Sequence, residues 1–222
     1  MSILTFLFSV PVICGLFLIG YFLFRVFQRV KHFTNIDNQL FYAIDKNNLS
    51  TVQKLISIGA NANALNEDDY SALMVASYYG YKDIVQHLVI KGAIVDYKNK
   101  KGSTALMFAC THNHFDVVEY LIEHDADINT QPKGGWSALI SAAKNGHFKI
   151  VEYLVQHGAD INAHDASNNT ALMYACKNGH FDIADFLIQN GADTTCENVL
   201  GETVETLRQK GKNKLNQETG NK

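Results

Sequence analysis

The stretch TALMFACTHNH, Thr104 to His114, returns almost unchanged as TALMYACKNGH, Thr170 to His180, 66 positions later (170 − 104). Half of that separation is 33. One step of 33 back from Thr170 is Ser137, which opens SALISAA, and two further steps reach Thr104 and Ser71, the latter opening SALMVAS. The next step back is Asn38, and one step forward is Thr203, opening TVETLRQ. Leu40, Leu73, Leu106, Leu139 and Leu172 keep this phase, as do Ala43, Ala76, Ala109, Ala142 and Ala175. Leu55, Leu88, Leu121, Leu154 and Leu187 keep a second phase within the same unit. Self-similarity at a fixed period of this size marks an array of stacked units. Five complete units fill residues 38–202 without an insertion.

Each unit reads as two short helices. The hydroxyl of Ser71, Thr104, Ser137 or Thr170 is placed to accept a hydrogen bond from a free first-turn amide. Small apolar residues follow, so helices of adjacent units can approach closely. The first helix is expected to stop at Gly80, Gly146 and Gly179, and at Asn47 and Asn113 in the other two units, because Gly and Asn enter the left-handed conformation at least cost. The second helix carries an apolar face, as with Val117, Val118, Leu121 and Ile122 in FDVVEYLIEH. It is expected to end at Gly59, Gly92, Gly158 and Gly191, with Asp125 in the remaining unit. Helices shorter than about 12 residues are marginal alone in water, so every unit must bury its apolar side on the next.

The consensus Ser/Thr-Ala-Leu-Met/Ile-x-Ala-x-x-x-Gly-His, followed by Ile-Val-x-x-Leu-Val-x-x-Gly-Ala-Asp-Ile-Asn, is similar to the ankyrin repeat over residues 36–215. Where that family usually has Pro after the Thr, this chain has Ala (or Gln39), and Met or Ile stands where the family usually has His. The Thr-to-His hydrogen bond typical of the family is therefore absent. The first unit is degenerate, with Thr51 in place of Ile or Val. The last, TVETLRQKGKNKLNQ, puts Glu205 and Arg208 at core phase, as a polar terminal cap requires. The resemblance implies an all-α ankyrin solenoid of about five complete repeats with a partial C-terminal cap.

Upstream of the array the composition changes. Ile3 to Phe24 is 22 residues without a charge, which as a helix would be about 33 Å long and able to cross a bilayer. Arg25, Arg29 and Lys31 follow it, and by the positive-inside rule the rest of the chain is expected in the cytoplasm. No Lys or Arg precedes the apolar run and no small-residue cleavage site follows, which disfavours a secretory signal. The expected organisation is a single-pass transmembrane anchor with its basic flank (1–32), the ankyrin domain (33–215) and a polar tail (216–222). Competing expectations are a periplasmic or lumenal domain serving an envelope enzyme, and a secreted effector acting on a host protein.

No catalytic chemistry is legible. A net charge of −3 gives no electrostatic footprint for nucleic acid. The cysteines form no CxxC pair, and Cys110 and Cys176 share one phase with Ala143, which marks them as small packing residues. His114, His147 and His180 recur one repeat apart. Stacked helices stand about 8–10 Å apart, too far for all three to ligate one ion at about 2.1 Å each. His112 and His114 are expected to face different directions. No phosphate loop or nucleophile motif is present. No cofactor, metal or small-molecule substrate is expected.

The resemblance places partner contacts on loop tips and on exposed positions of the first helices, along a concave face. Carried over by register, these are Tyr70, Tyr78, Tyr79, Lys100, Lys101, His112, Lys133, Trp136, Lys144, Asn145, Asn169, Lys177 and Asn178. The aromatic members are the residues that most often dominate interfaces. The lysines have a second expectation, a basic stripe or a merely solvated surface, with Glu67, Asp68 and Asp69 at the N-terminal end. The function implied is a membrane-anchored scaffold that binds another protein.

Overall fold

The computed structural model describes residues 36–220. The membrane span expected over residues 3–24 lies outside them. Among the described residues no helix is long and apolar enough to cross a membrane.

Eleven α-helices are formed within this range. They pair as α1 (Ile36–Asp45) with α2 (Leu49–Ser57), α3 (Ala72–Tyr79) with α4 (Lys82–Ile90), and α5 (Ala105–Thr111) with α6 (Phe115–Glu123). Next come α7 (Ala138–Lys144) with α8 (Phe148–Gln156) and α9 (Ala171–Asn178) with α10 (Phe181–Gln189), and the single α11 (Val204–Gly220) closes the array. Odd-numbered helices pack on one another as an inner layer, even-numbered ones as an outer layer, and the two layers meet within each hairpin. The core lies between them. Leu73, Leu106, Leu139 and Leu172, together with Leu88, Leu121, Leu154 and Leu187, are at most 2% exposed, so both phases of the 33-residue repeat are buried.

Helix starts and stops follow the sequence with one exception. Ser71, Ser137 and Thr170 accept from the backbone N–H three residues on, at 3.2, 3.1 and 3.3 Å. Thr104 makes no such cap, and its buried hydroxyl has no partner. Its neighbour in kind is Ser77, whose hydroxyl is also buried and unpaired at the position occupied elsewhere by Cys110, Ala143 and Cys176. A buried hydroxyl without a partner costs stability. Thr104→Val and Ser77→Ala should each raise unfolding stability by about 1 kcal/mol, measured by urea denaturation, whereas Ser137→Ala should lower it by about as much.

The first helices end where expected, with positive φ at Asn47, Gly80, Asn113, Gly146 and Gly179. At Gly80 a second constraint operates, because an added Cβ would lie 2.2 Å from the His114 ring. That contact explains the recurring histidines. Nε2 of His114, His147 and His180 lies 2.9, 3.1 and 3.2 Å from the carbonyl oxygens of Tyr78, Thr111 and Lys144. These carbonyls belong to the last turn of the preceding unit's first helix, where no intrahelical N–H reaches them. A carbonyl only accepts, so each Nε2 carries the proton and donates. The histidines are staples between consecutive units. His112 and His114 have ring centroids 6.3 Å apart, the first beside the Tyr78 ring and the second bonded to the Tyr78 carbonyl.

A second set of bonds ties loop to loop. The side-chain oxygens of Asn63, Asp96, Asn129 and Asn162 accept from the backbone N–H of Ile94, Asp127, Asp160 and Asp193, at 2.7–3.0 Å. These four acceptors share one phase of the repeat. Each of the four junctions between the complete units thus carries an apolar interface and a polar bond of fixed register, in keeping with a period free of insertions.

The array ends differently from its middle. At the phase of Gly80 and Gly179 stands Lys212, a good helix former, so the sixth unit's first helix has no left-handed stop. It runs on to Gly220 for 17 residues, past residue 215, the expected end of the ankyrin domain. Val204 and Leu207 face the core, while Glu205 is exposed and Arg208 reaches Asp185 at 2.8 Å and lies over the Phe181 ring.

Candidate partner-binding face

Packing leaves one face with more aromatic surface than the core requires. Along the inner layer, Tyr78 lies edge-on to Tyr79 with centroids 5.0 Å apart, and its ring is 4.2 Å from His112. Tyr70 meets Phe108 edge-to-face at 5.4 Å. Tyr79 stacks on Tyr81 at 5.3 Å, and its hydroxyl donates to Asp45 at 3.3 Å. Tyr78 and Tyr79 remain 43% and 41% exposed, unusual for rings that pack so closely with one another. Burial first, and then the nearby His114 and His147, hold the His112 imidazole below the usual histidine range, so it is neutral at pH 7.

One repeat further on, Trp136 tilts against Tyr174 at 5.0 Å. The Lys144 ammonium sits over both rings, 4.5 and 5.9 Å from their centroids, a cation–π arrangement. Tyr174 is fixed from below by its hydroxyl, which donates to Asp165 at 2.7 Å.

Asp165 also organises the loop that carries this cluster. Asn66, Asn99, Asp165 and Asn198 occupy one phase, and each side-chain oxygen accepts from the backbone N–H groups two and four residues on. This local turn is what Asn and Asp do best. At the same phase the third unit has Pro132, which cannot do it, and its loop is shaped instead by Gly134 and Gly135 at positive φ. Trp136 follows them.

Only 5% of Asp165 is exposed. Burial by itself pushes its carboxyl up, but bonds from the Tyr174 hydroxyl, the Asn169 backbone and side chain, and the Ser167 backbone outweigh this and hold it below the usual carboxylate range. Because the folded value is lowered, the stabilisation is complete at neutral pH and is lost as pH falls through the carboxylate range toward the folded value. Asp165→Asn should cost about 1–3 kcal/mol at pH 7. It should also flatten the acid limb of the stability profile below about pH 4, as followed by circular dichroism.

The structure gathers some of the sequence-derived residues and scatters others. Tyr70, Tyr78 and Tyr79 line a groove of ≈ 260 Å³ between α3 and α5. Trp136, Lys144 and Asn145 line a neighbouring groove of ≈ 360 Å³ between α5 and α7. His112 borders the first through Tyr78. Lys100, Lys101 and Lys133 are exposed on loop tips joined by the backbone, with Lys133 N–H donating to the Lys101 carbonyl at 3.0 Å. Asn169 and Asn178 commit their amides internally, to Asp165 and Asn198 and to the Tyr174 carbonyl respectively. Lys177 is exposed at the end of α9.

Sequence reasoning passed over Phe108, which forms a wall of both grooves, and Tyr174. Both stand at the fifth position of the helix-opening motif, where the other units have Tyr42, Val75 and Ser141. The bulk of the ring at a position tolerant of serine is the signal that would have found them. Among the described residues no cluster of three or more His, Cys, Asp or Glu could hold a metal ion.

Stacked helical hairpins in strict register, with an aromatic inner face, define a tandem-repeat interaction protein. The model for ankyrin repeats (three copies) matches residues 40–132 and 127–198, together 159 of the 222 residues (198 − 40 + 1). The chain belongs to the ankyrin-repeat family, and ankyrin repeats imply a protein–protein interaction role. No curated protein matches it.

Proposed function

We propose that this chain is a non-catalytic scaffold that binds one protein partner on its inner face and holds it beside a membrane. The observation that carries the binding role is the row Tyr78, Phe108 and Trp136, which line two solvent-accessible grooves, with the Tyr174 ring packed against Trp136. Such rings bring large contact area at low entropic cost. The membrane role is supported by the uncharged run Ile3–Phe24 and the three cations after it, which favour a cytoplasmic ankyrin domain. Binding needs no cofactor, metal or small-molecule substrate, and the near-neutral chain is not suited to nucleic acid.

The test is extraction and co-purification of the full-length chain. After alkaline carbonate washing the chain should stay in the membrane pellet and need detergent for release, and a stoichiometric protein should co-elute with it. Release by carbonate would overturn the anchor. Elution alone at every detergent and salt concentration would overturn the scaffold.

A further inference from the structure

The two grooves carry opposite charge. The groove between α5 and α7 has an apolar floor from Met107, Phe108 and Trp136, with Lys144 and Asn145 on its rim and no carboxylate in its lining. The groove between α3 and α5 has a floor from Met74, Val75 and Phe108, with Asp68 on its rim and no Lys or Arg in its lining. Lys144 and Asp68 are both exposed, and neither forms an ion pair among the described residues. The ring of Trp136 beneath Lys144 holds its charge at the groove mouth. Phe108 is the partition between the two.

Geometry sets the spacing of whatever fills them. The grooves lie on either side of α5 and repeat with the helices, so their centres are about 8–10 Å apart. In a polyproline-II-like segment, side chains three residues apart point the same way and stand about 9 Å apart. A β-strand returns to the same face every second residue, at about 6.7 Å, which misses the second groove. Aromatic walls suit such an extended segment.

We infer that the inner face binds an extended, polyproline-II-like segment of another protein whose two apolar side chains, at positions i and i+3, fill the grooves on either side of Phe108, with an acidic residue beside Lys144 and a basic residue beside Asp68. It rests on the binding role proposed above and adds the partner's chemistry and polarity. The asymmetry gives the segment one permitted direction. Reversing the charges should therefore reverse preference, which a merely greasy groove would not do.

A random dodecapeptide display library selected on the detergent-solubilised full-length chain tests this, followed by synthetic copies of the enriched peptide and its charge-swapped form. Enriched peptides are expected to carry two apolar residues spaced by three, flanked by opposite charges. Affinity should fall about tenfold or more in Lys144→Glu, and the charge-swapped peptide should gain on the double variant Lys144→Glu/Asp68→Lys. Lys144→Gln, which cannot repel, should lose less than Lys144→Glu. Far-UV circular dichroism and melting temperature should stay near wild type, since both residues are exposed.

No enrichment, an uncharged consensus, a helical i, i+4, i+7 pattern, or affinities indifferent to both charge variants would each overturn the inference. So would a dimer in sedimentation that Lys144→Glu dissolves, which would make a second copy the occupant. Failure in any of these ways leaves the scaffold standing if a protein still co-purifies with the full-length chain. Absence of that protein brings down the scaffold itself.

Discussion

Leu121→Ala will destabilise the array by about 3 kcal/mol, within the range for emptying a fully buried leucine site. Leu121 is 0% exposed in α6, which packs on α5 and on both neighbouring outer helices, α4 and α8. Units couple only to adjacent units, so the lesion sits at the middle of a chain of interfaces. For a domain of this size each kcal/mol moves the melting temperature by roughly 2–4 °C, hence a fall of about 6–12 °C. Total stabilities of globular domains are about 5–15 kcal/mol, so one side chain removes a sizeable share. Ile188→Ala is the control: it stands at the surface of α10 with 36% exposure, and should cost less than about 1 kcal/mol. Equal losses at the two sites would mean that the layers do not bury the repeat phase described here.

The second large effect concerns the end of the array. Gly211 lies within α11 where that helix crosses α9, and a Cβ there would be 2.1 Å from the Cys176 carbonyl oxygen. That atom is backbone and cannot swing away. Helix propensity argues the other way, since Ala is favoured over Gly in a helix interior by about 1 kcal/mol. Overpacking costs about 1–3 kcal/mol, so the clash wins. Gly211→Ala should lower stability despite its better propensity, and Gly211→Val should prise the C-terminal half of α11 from α9. Hydrogen exchange reads this directly, with residues 208–220 losing protection while α5–α8 keep theirs. A stabilised Gly211→Ala would show that the helix stands farther from α9 than this crossing.

Most of the fold could be read from the chain because the repeat writes each structural decision several times. The glycine and asparagine stops agree with the positive φ at Gly80, Asn113 and Gly179, since local backbone preference and the stacking requirement point to the same residue. Thr104 escaped because its sequence neighbours are those of Thr170, yet its hydroxyl does not reach the first-turn amide. The difference lies in backbone placement, which a string of letters does not carry. The histidine staples escaped for another reason. Their bonds span 36 residues, from one unit back to the previous helix end, and side-chain periodicity within a unit says nothing of that carbonyl. Burial of Cys110 and Cys176 was legible from Ala143 at the same phase. Its chemical consequence follows: burial pushes the Cys176 thiol up to about 11, leaving little thiolate at neutral pH.

The face was legible in part. Exposed positions of the first helices led to Tyr78, Tyr79, His112, Lys144 and Asn145, whereas Phe108 was hidden inside a motif that otherwise reads as core. Loop residues were least legible, because Asn169 is drawn inward by Asp165 and a polar letter alone does not tell a structural amide from a free one.

One measurement bears most directly on the central claim, that the inner face is where a protein partner binds. A photo-crosslinking amino acid is placed at Tyr78 on the inner layer, or at Ile90, 72% exposed at the end of outer helix α4, in the full-length chain in its native cells. The account predicts a discrete crosslinked protein from position 78 and none from position 90. A crosslink formed from position 90 alone would contradict it.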